Sequence, residues 1–172
     1  MLSCVFDFNC RYLTLIAGIF GEVVFISDSG RHGIIMSSLD TSDTTTIALP
    51  FQNVTTPYGI AFNPLDNRIY WTDSTRGVVA RSSIGGKDQE VVHSPVFRPR
   101  GIALDLVGGN MYWISNGGRS IEVSKLNGSY WKVLVSNLYD DATDITLDTT
   151  RGYSTLLLTY YTICQIVFFN NA

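Results

Sequence analysis

Apolar and polar residues alternate in short runs along the middle of the chain, and turn-forming residues cut each run. Residues 58–62, 68–73, 78–84 and 90–92 read as four strands, because alternation places successive side chains on opposite faces. Between the first two lies Asn63-Pro64-Leu65-Asp66-Asn67, where Pro presets φ and the Asn and Asp side chains cap the backbone. Gly85-Gly86 permits a tight hairpin, since glycine tolerates positive φ. In the second strand Tyr70 and Thr72 point one way, Trp71 and Asp73 the other. Neither set is polar enough to face water, so the pattern predicts a strand covered on both faces.

The pattern recurs. Tyr70-Trp71-Thr72-Asp73 is followed 42 residues later by Tyr112-Trp113-Ile114-Ser115 and preceded by 45 by Phe25-Ile26-Ser27-Asp28. Pro57-Tyr58-Gly59-Ile60-Ala61 returns as Pro99-Arg100-Gly101-Ile102-Ala103, and Asn127-Gly128 takes the place of Gly85-Gly86. A fourth unit opens at Asp144-Ile145-Thr146-Leu147-Asp148, but Thr155-Leu156 stands where Tyr-Trp is expected. A period in the low forties fits one four-stranded propeller blade. The expected organisation is an N-terminal segment at 1–21 (a weak first strand or the end of an upstream module), a blade-like repeat at 22–56, clear repeats at 57–98 and 99–141, and a divergent, truncated repeat at 142–172. The predicted fold class is all-β, a partial propeller whose blades are four-stranded antiparallel sheets.

Repeated aromatics at one register position read as packing. Tyr70, Trp71, Tyr112, Trp113 and Phe25 are expected to fill the wedges between blades. Asp73, with Asp28 as its counterpart, ends its strand before a turn and can accept backbone N–H bonds from that turn or from the next blade. Ser115 replaces this Asp, which predicts a lost charge-assisted bond of about 1–3 kcal/mol if the position is buried.

Composition narrows the function. Apolar residues are 45% and charged residues 16%, enough to bury a core. The net charge is −3 and no Lys/Arg run occurs, which argues against nucleic acid and against a polybasic membrane patch. Cys4, Cys10 and Cys164 are odd in number, so at least one lacks a partner within the chain. Cys4 and Cys10 read either as the end of a disulfide module or as free thiols. The opening residues are not expected to act as a signal peptide, since they lack an early basic region and the apolar stretch at 12–20 comes late. His32 and His93 occupy different places in their repeats, neighbour no catalytic motif, and are expected on the surface or in turns. Asp140, Asp141, Asp144 and Asp148 cluster in sequence without calcium-loop spacing and read as a solvated loop between blades. No catalytic residue, cofactor or metal site is predicted. Asn53-Val54-Thr55 and Asn127-Gly128-Ser129 are glycosylation sequons, although Asn-Gly also suits the hairpin turn. The uncharged stretch 153–169 reads as a strand pair, a spanning helix or aberrant translated sequence.

Residues 57–86, built around YWTD, and residues 98–128, built around YWIS, resemble the YWTD (class B) repeats of the low-density lipoprotein receptor family; residues 25–43 resemble the opening blade of such a propeller. The resemblance implies a six-bladed propeller flanked by EGF-like modules, in an endocytic or signalling receptor, a matrix protein or a growth-factor precursor. Six blades need roughly 260 residues, so the chain is expected to supply about four and to be part of a longer protein. The resemblance also implies a protein ligand of unknown identity, contacts to neighbouring blades and EGF-like modules, and a place in the extracellular part of a single-pass membrane protein or in a secreted one. Some six-bladed propellers are calcium-dependent hydrolases with acidic ligands at a central tunnel, and the aspartate cluster is the one candidate for that role. By register, the turns at 29–33, 74–77 and 116–119 share one rim.

Overall fold

A computed structural model describes residues 13–16, 23–38, 45–115, 117, 119–138, 141–148, 155–159 and 164–168, with the backbone alone for 13–16, 148, 155–159 and 164–168. The described residues form four antiparallel sheets and no helix. Blade 1 is β1 (Leu13–Ile16), β2 (Val23–Asp28), β3 (Gly33–Ser38) and β4 (Thr46–Ala48). Blade 2 is β5 (Pro57–Asn63), β6 (Arg68–Asp73), β7 (Val78–Ser83) and β8 (Glu90–His93). Blade 3 is β9 (Ile102–Asp105), β10 (Asn110–Ser115), β11 (Ser120–Lys125) and β12 (Lys132–Val135). Blade 4 shows β13 (Asp144–Asp148), β14 (Thr155–Thr159) and β15 (Cys164–Phe168).

Each sheet is a meander in chain order, as short turns between sequential strands dictate. The pairing of β1 with β2 puts Leu13–Ile16 in blade 1, so part of the N-terminal segment is a first strand. Within the uncharged stretch 153–169, β14 pairs in register with β13 on one side and with β15 on the other; its remaining residues lie outside the described ones. No helix among the described residues is long and apolar enough to cross a membrane. Cys4 and Cys10 lie outside the described residues, and Cys164 is described only as backbone in β15.

The core consists of three layers between blades. Trp71 packs toward blade 1 with Phe25, Ile34, Leu49 and Val54, and the Phe51 ring stacks on it at 5.0 Å and 10°. Tyr70, one residue away, faces blade 3 and meets Ile102, Met111 and Trp113. Tyr112 faces blade 4 and meets Ala142 and Ile145. The two rings of one tetrad therefore fill different wedges, tryptophan toward the preceding blade and tyrosine toward the following one. The cause is the two-residue period of the strand. Tyr70, Trp71 and Trp113 are all 0% exposed.

The glycine of each PxGIA segment has its own cause. A Cβ on Gly59 would lie 2.7 Å from the Arg100 carbonyl oxygen and the Ile102 nitrogen. A Cβ on Gly101 would lie 2.7 Å from the Asp144 Cα. Innermost strands of neighbouring blades meet backbone to backbone there, and only glycine leaves room.

Candidate functional site

The tetrad strands end at one rim, and their polar side chains decide how that rim is built. Asp73 is fully buried. Its Oδ2 accepts the Thr55 N–H at 2.7 Å, and its Oδ1 accepts those of Thr56 at 3.2 Å and Arg76 at 3.0 Å. The carboxylate thus ties the following turn to the connection arriving from blade 1, rather than to blade 3. Asp28 holds its own turn in the same way, through Gly30 and Arg31, each at 2.9 Å.

The third tetrad position makes the link to the next blade. Thr72 Oγ1 accepts the Gly59 N–H at 2.9 Å and donates to the Arg100 carbonyl at 2.5 Å. Ser27 Oγ donates to the Tyr58 carbonyl at 2.9 Å. Tyr58 and Arg100 are the same repeat position, so one hydroxyl clamp closes two successive interfaces. Blade 3 has Ile114 there and uses other bonds: the Arg100 guanidinium donates to the Ala142 carbonyl at 3.0 Å, and the Gly101 N–H to that of Thr143 at 3.4 Å. This clamp was legible in the sequence only as a hydroxyl or its absence at a fixed position.

Ser115 is buried, but the charge expected to be lost there is relocated instead. Ser115 Oγ lies 2.8 Å from Ser120 Oγ and donates to the Glu122 carboxylate, whose other oxygen accepts the Trp131 indole N–H at 2.7 Å. Glu122 stands on β11, where blade 2 has Ala80 on β7. The supplied carboxylate stays within its blade and does not reach the arriving connection.

His32 lies in an exposed turn, with Nδ1 2.5 Å from the Thr55 carbonyl. His93 departs from the expectation of a surface or turn residue: it sits on β8, half-buried, 5.3 Å from Trp113 and 5.1 Å from Trp131. Burial holds its imidazole below the usual histidine pKa, opposed by the negative Glu122. Repeat position could not show this, because both tryptophans come from blade 3 and His93 from blade 2.

Asp141 and Asp144, the two aspartates of the cluster whose side chains are described, have different settings. Asp141 pairs with Arg119 at 2.9 Å. Asp144 lies against the innermost strand of blade 3, and burial pushes its carboxyl up to about 6. Asp140 lies outside the described residues, and the side chain of Asp148 is not described. Among the described residues no three His, Cys, Asp or Glu side chains come together in a group that could hold a metal ion.

The two rims differ in how their arginines are paired. The tetrad rim carries the turns after β2, β6 and β10 and the connections between blades. Its described cations are Arg31, Arg76, Arg98, Arg100 and Arg119. Arg31 pairs with Asp28 at 3.7 Å and Arg119 with Asp141, whereas Arg76 and Arg98 form no ion pair among the described residues. Beside Arg98, Phe97 is 67% exposed. Toward the opposite rim the charges neutralise one another: Arg68 reaches Asp88 at 2.6 Å and Glu90 at 3.2 Å, and Arg81 reaches Glu90 at 2.7 Å. These contacts hold the Glu90 carboxyl below its usual range, chiefly through the Arg81 hydrogen bond. Asn53 is exposed in the blade 1–2 connection, and Asn127 is exposed at the blade 3 hairpin tip.

No family model matches the chain. Over 88 residues, 49% of its length, it is 36% identical to low-density lipoprotein receptor-related protein 5 of Mus musculus, and the match spans 6% of that relative. Among solved structures, a nidogen/laminin complex contains a chain that superposes with a TM-score of 0.79 at 24% identity, covering 90% of this chain and 59% of the other. A protein assigned as a gluconolactonase superposes at 0.66 with 12% identity, covering 84% and 56%. Both structural likenesses concern the fold.

Proposed function

We propose that the chain, a partial β-propeller whose repeats resemble the YWTD (class B) repeats of the low-density lipoprotein receptor family, is an extracellular protein-binding module of a receptor-related protein that docks its partner on the tetrad rim. The observation carrying this reading is the arginine-bearing rim, where Arg76 and Arg98 form no ion pair among the described residues and Phe97, next to Arg98 in the chain, is exposed. An apolar ring among unneutralised guanidinium groups suits an acidic segment with a hydrophobic side chain, since arginine grips carboxylates with a forked pair of bonds. The similarity to a receptor-related protein favours a receptor setting; a matrix or growth-factor-precursor propeller uses the same module.

The test is a binding screen of the secreted protein against extracellular ectodomains, with laminin as the first probe. We expect a salt-sensitive complex weakened at least tenfold by the pair Arg76→Glu and Arg98→Glu and by Phe97→Ala, and unchanged by Asp66→Lys on the opposite rim. Absence of any bound ectodomain, or loss of binding only on the Asp66 side, overturns the proposal. The gluconolactonase-like fold allows a metal-dependent hydrolase as the competing reading. Chelator-sensitive ester or lactone hydrolysis by the purified protein would favour it.

A further inference from the structure

We propose that Asn127 carries an N-linked glycan whose first sugar packs on the Tyr130 ring. The inference rests on the extracellular reading above but concerns a different rim. Three observations meet at the blade 3 hairpin. Asn127 opens a sequon at an exposed tip. Ser129 donates twice to the Asn127 carbonyl oxygen, from its hydroxyl at 2.7 Å and from its N–H at 3.1 Å. Both bonds use Oδ1, so they do not commit the amide nitrogen, and they hold the required hydroxyl beside the amide. Tyr130 is 85% exposed at φ 56, a costly setting for a large ring with nothing to cover it.

The turn itself does not require these residues. The matching hairpin of blade 2 places Gly85 where Asn127 stands and Asp88 where Tyr130 stands. Asp88 closes that loop by accepting the Ser83 N–H at 2.7 Å and its hydroxyl at 2.6 Å. Tyr130 cannot close a loop this way, and blade 3 does so through the backbone, Lys125 N–H to the Ser129 carbonyl at 2.8 Å. Only Gly128 is demanded by packing: at φ +85, a Cβ there would press into Val92 of blade 2, 3.1 Å from its Cγ1. The ring of Tyr130 offers an apolar face to the C–H groups of a pyranose.

The second sequon has a different setting. Val54 is buried and the Thr55 N–H is held by Asp73, so Asn53-Val54-Thr55 belongs to the staple between blades. In the transfer, the Asn127 nitrogen forms a bond to the anomeric carbon of a lipid-diphosphate-linked oligosaccharide. The bond from that carbon to the phosphate oxygen breaks, the amide nitrogen loses one proton, and the lipid diphosphate leaves.

The full chain, given a cleavable secretory leader and translated with microsomes, tests this without depending on any partner. Enzymatic deglycosylation in heavy-oxygen water, followed by peptide mass analysis, should tag residue 127 in most molecules, and Ser129→Ala should abolish the tag. An untagged residue 127 overturns the site, whatever the state of Asn53. Tyr130→Ala should keep the tag yet lose the drop of a few degrees in Tm that deglycosylation produces in the parent. An equal drop in both overturns the stacking. Loss of ectodomain binding with the tag intact would defeat the docking proposal alone.

Discussion

Blades 2 and 3 share one pattern of strands, turns and rings, yet they are fastened by different chemistry. In blade 2 a buried aspartate holds the arriving connection by two backbone N–H groups and its own turn by a third, and a threonine hydroxyl bridges to the next blade. In blade 3 a serine and an isoleucine occupy these places, a glutamate from the adjoining strand supplies the charge, and an arginine from its entry segment reaches the following blade. What is shared is the apolar wedge. The polar fasteners are exchangeable because each needs only a donor or acceptor at the right point, whereas a wedge must be filled by volume.

The largest expected effect tests that shared part. Trp71→Ala and Trp113→Ala should each cost about 3–5 kcal/mol, read from denaturant midpoints, and the two should be alike within about 1 kcal/mol. The aspartate separates the blades. Asp73→Ala leaves three buried N–H groups without their acceptor and should cost about 2–4 kcal/mol. Glu122→Ala releases a serine and an indole and should cost about 1–2 kcal/mol. Equal losses would remove the distinction between a staple across a connection and a bond within a blade. Thr72→Val should cost about 1–2 kcal/mol by stranding the Gly59 N–H and Arg100 carbonyl, while Ile114→Val removes no hydrogen bond and should cost about 1 kcal/mol.

The smallest effect depends on pH and sits at the blade 3–4 interface. Burial raises the Asp144 carboxyl from 3.8 to about 6, so the folded state holds this proton more tightly than the unfolded chain. The contribution of this carboxyl to stability is therefore greatest below about pH 4 and falls as pH rises toward 6, where the folded form must carry a poorly solvated charge. The loss should be about 1 kcal/mol, since the residue keeps some contact with water, which screens part of the penalty. Asp144→Asn should abolish this decline and raise the Tm at pH 7. A pH profile unchanged by the substitution would show that Asp144 is hydrated in the folded state.

Read from the residues alone, the strand series of blade 2 comes within one residue of the structure at every boundary. Local alternation and turn chemistry carry that information. His93 and Glu122 were not legible as a pair, because 29 residues and a blade boundary separate them. The glycine of PxGIA was visible as a repeat, but its reason, a neighbouring backbone 2.7 Å from a would-be Cβ, exists only after blades meet.

By itself the amino-acid sequence determined the blade: strand order, hairpin positions and which rings face inward, all consequences of a two-residue period and a repeat in the low forties. Tertiary structure alone decided what lies opposite each ring and each polar group. It sent Trp71 and Tyr70 to different wedges, moved the missing carboxylate of blade 3 to Glu122, and left Arg76 and Arg98 unpaired on one rim. Those outcomes depend on which surfaces are brought together between blades, and no local pattern encodes the identity of a neighbour that arrives from 40 residues away.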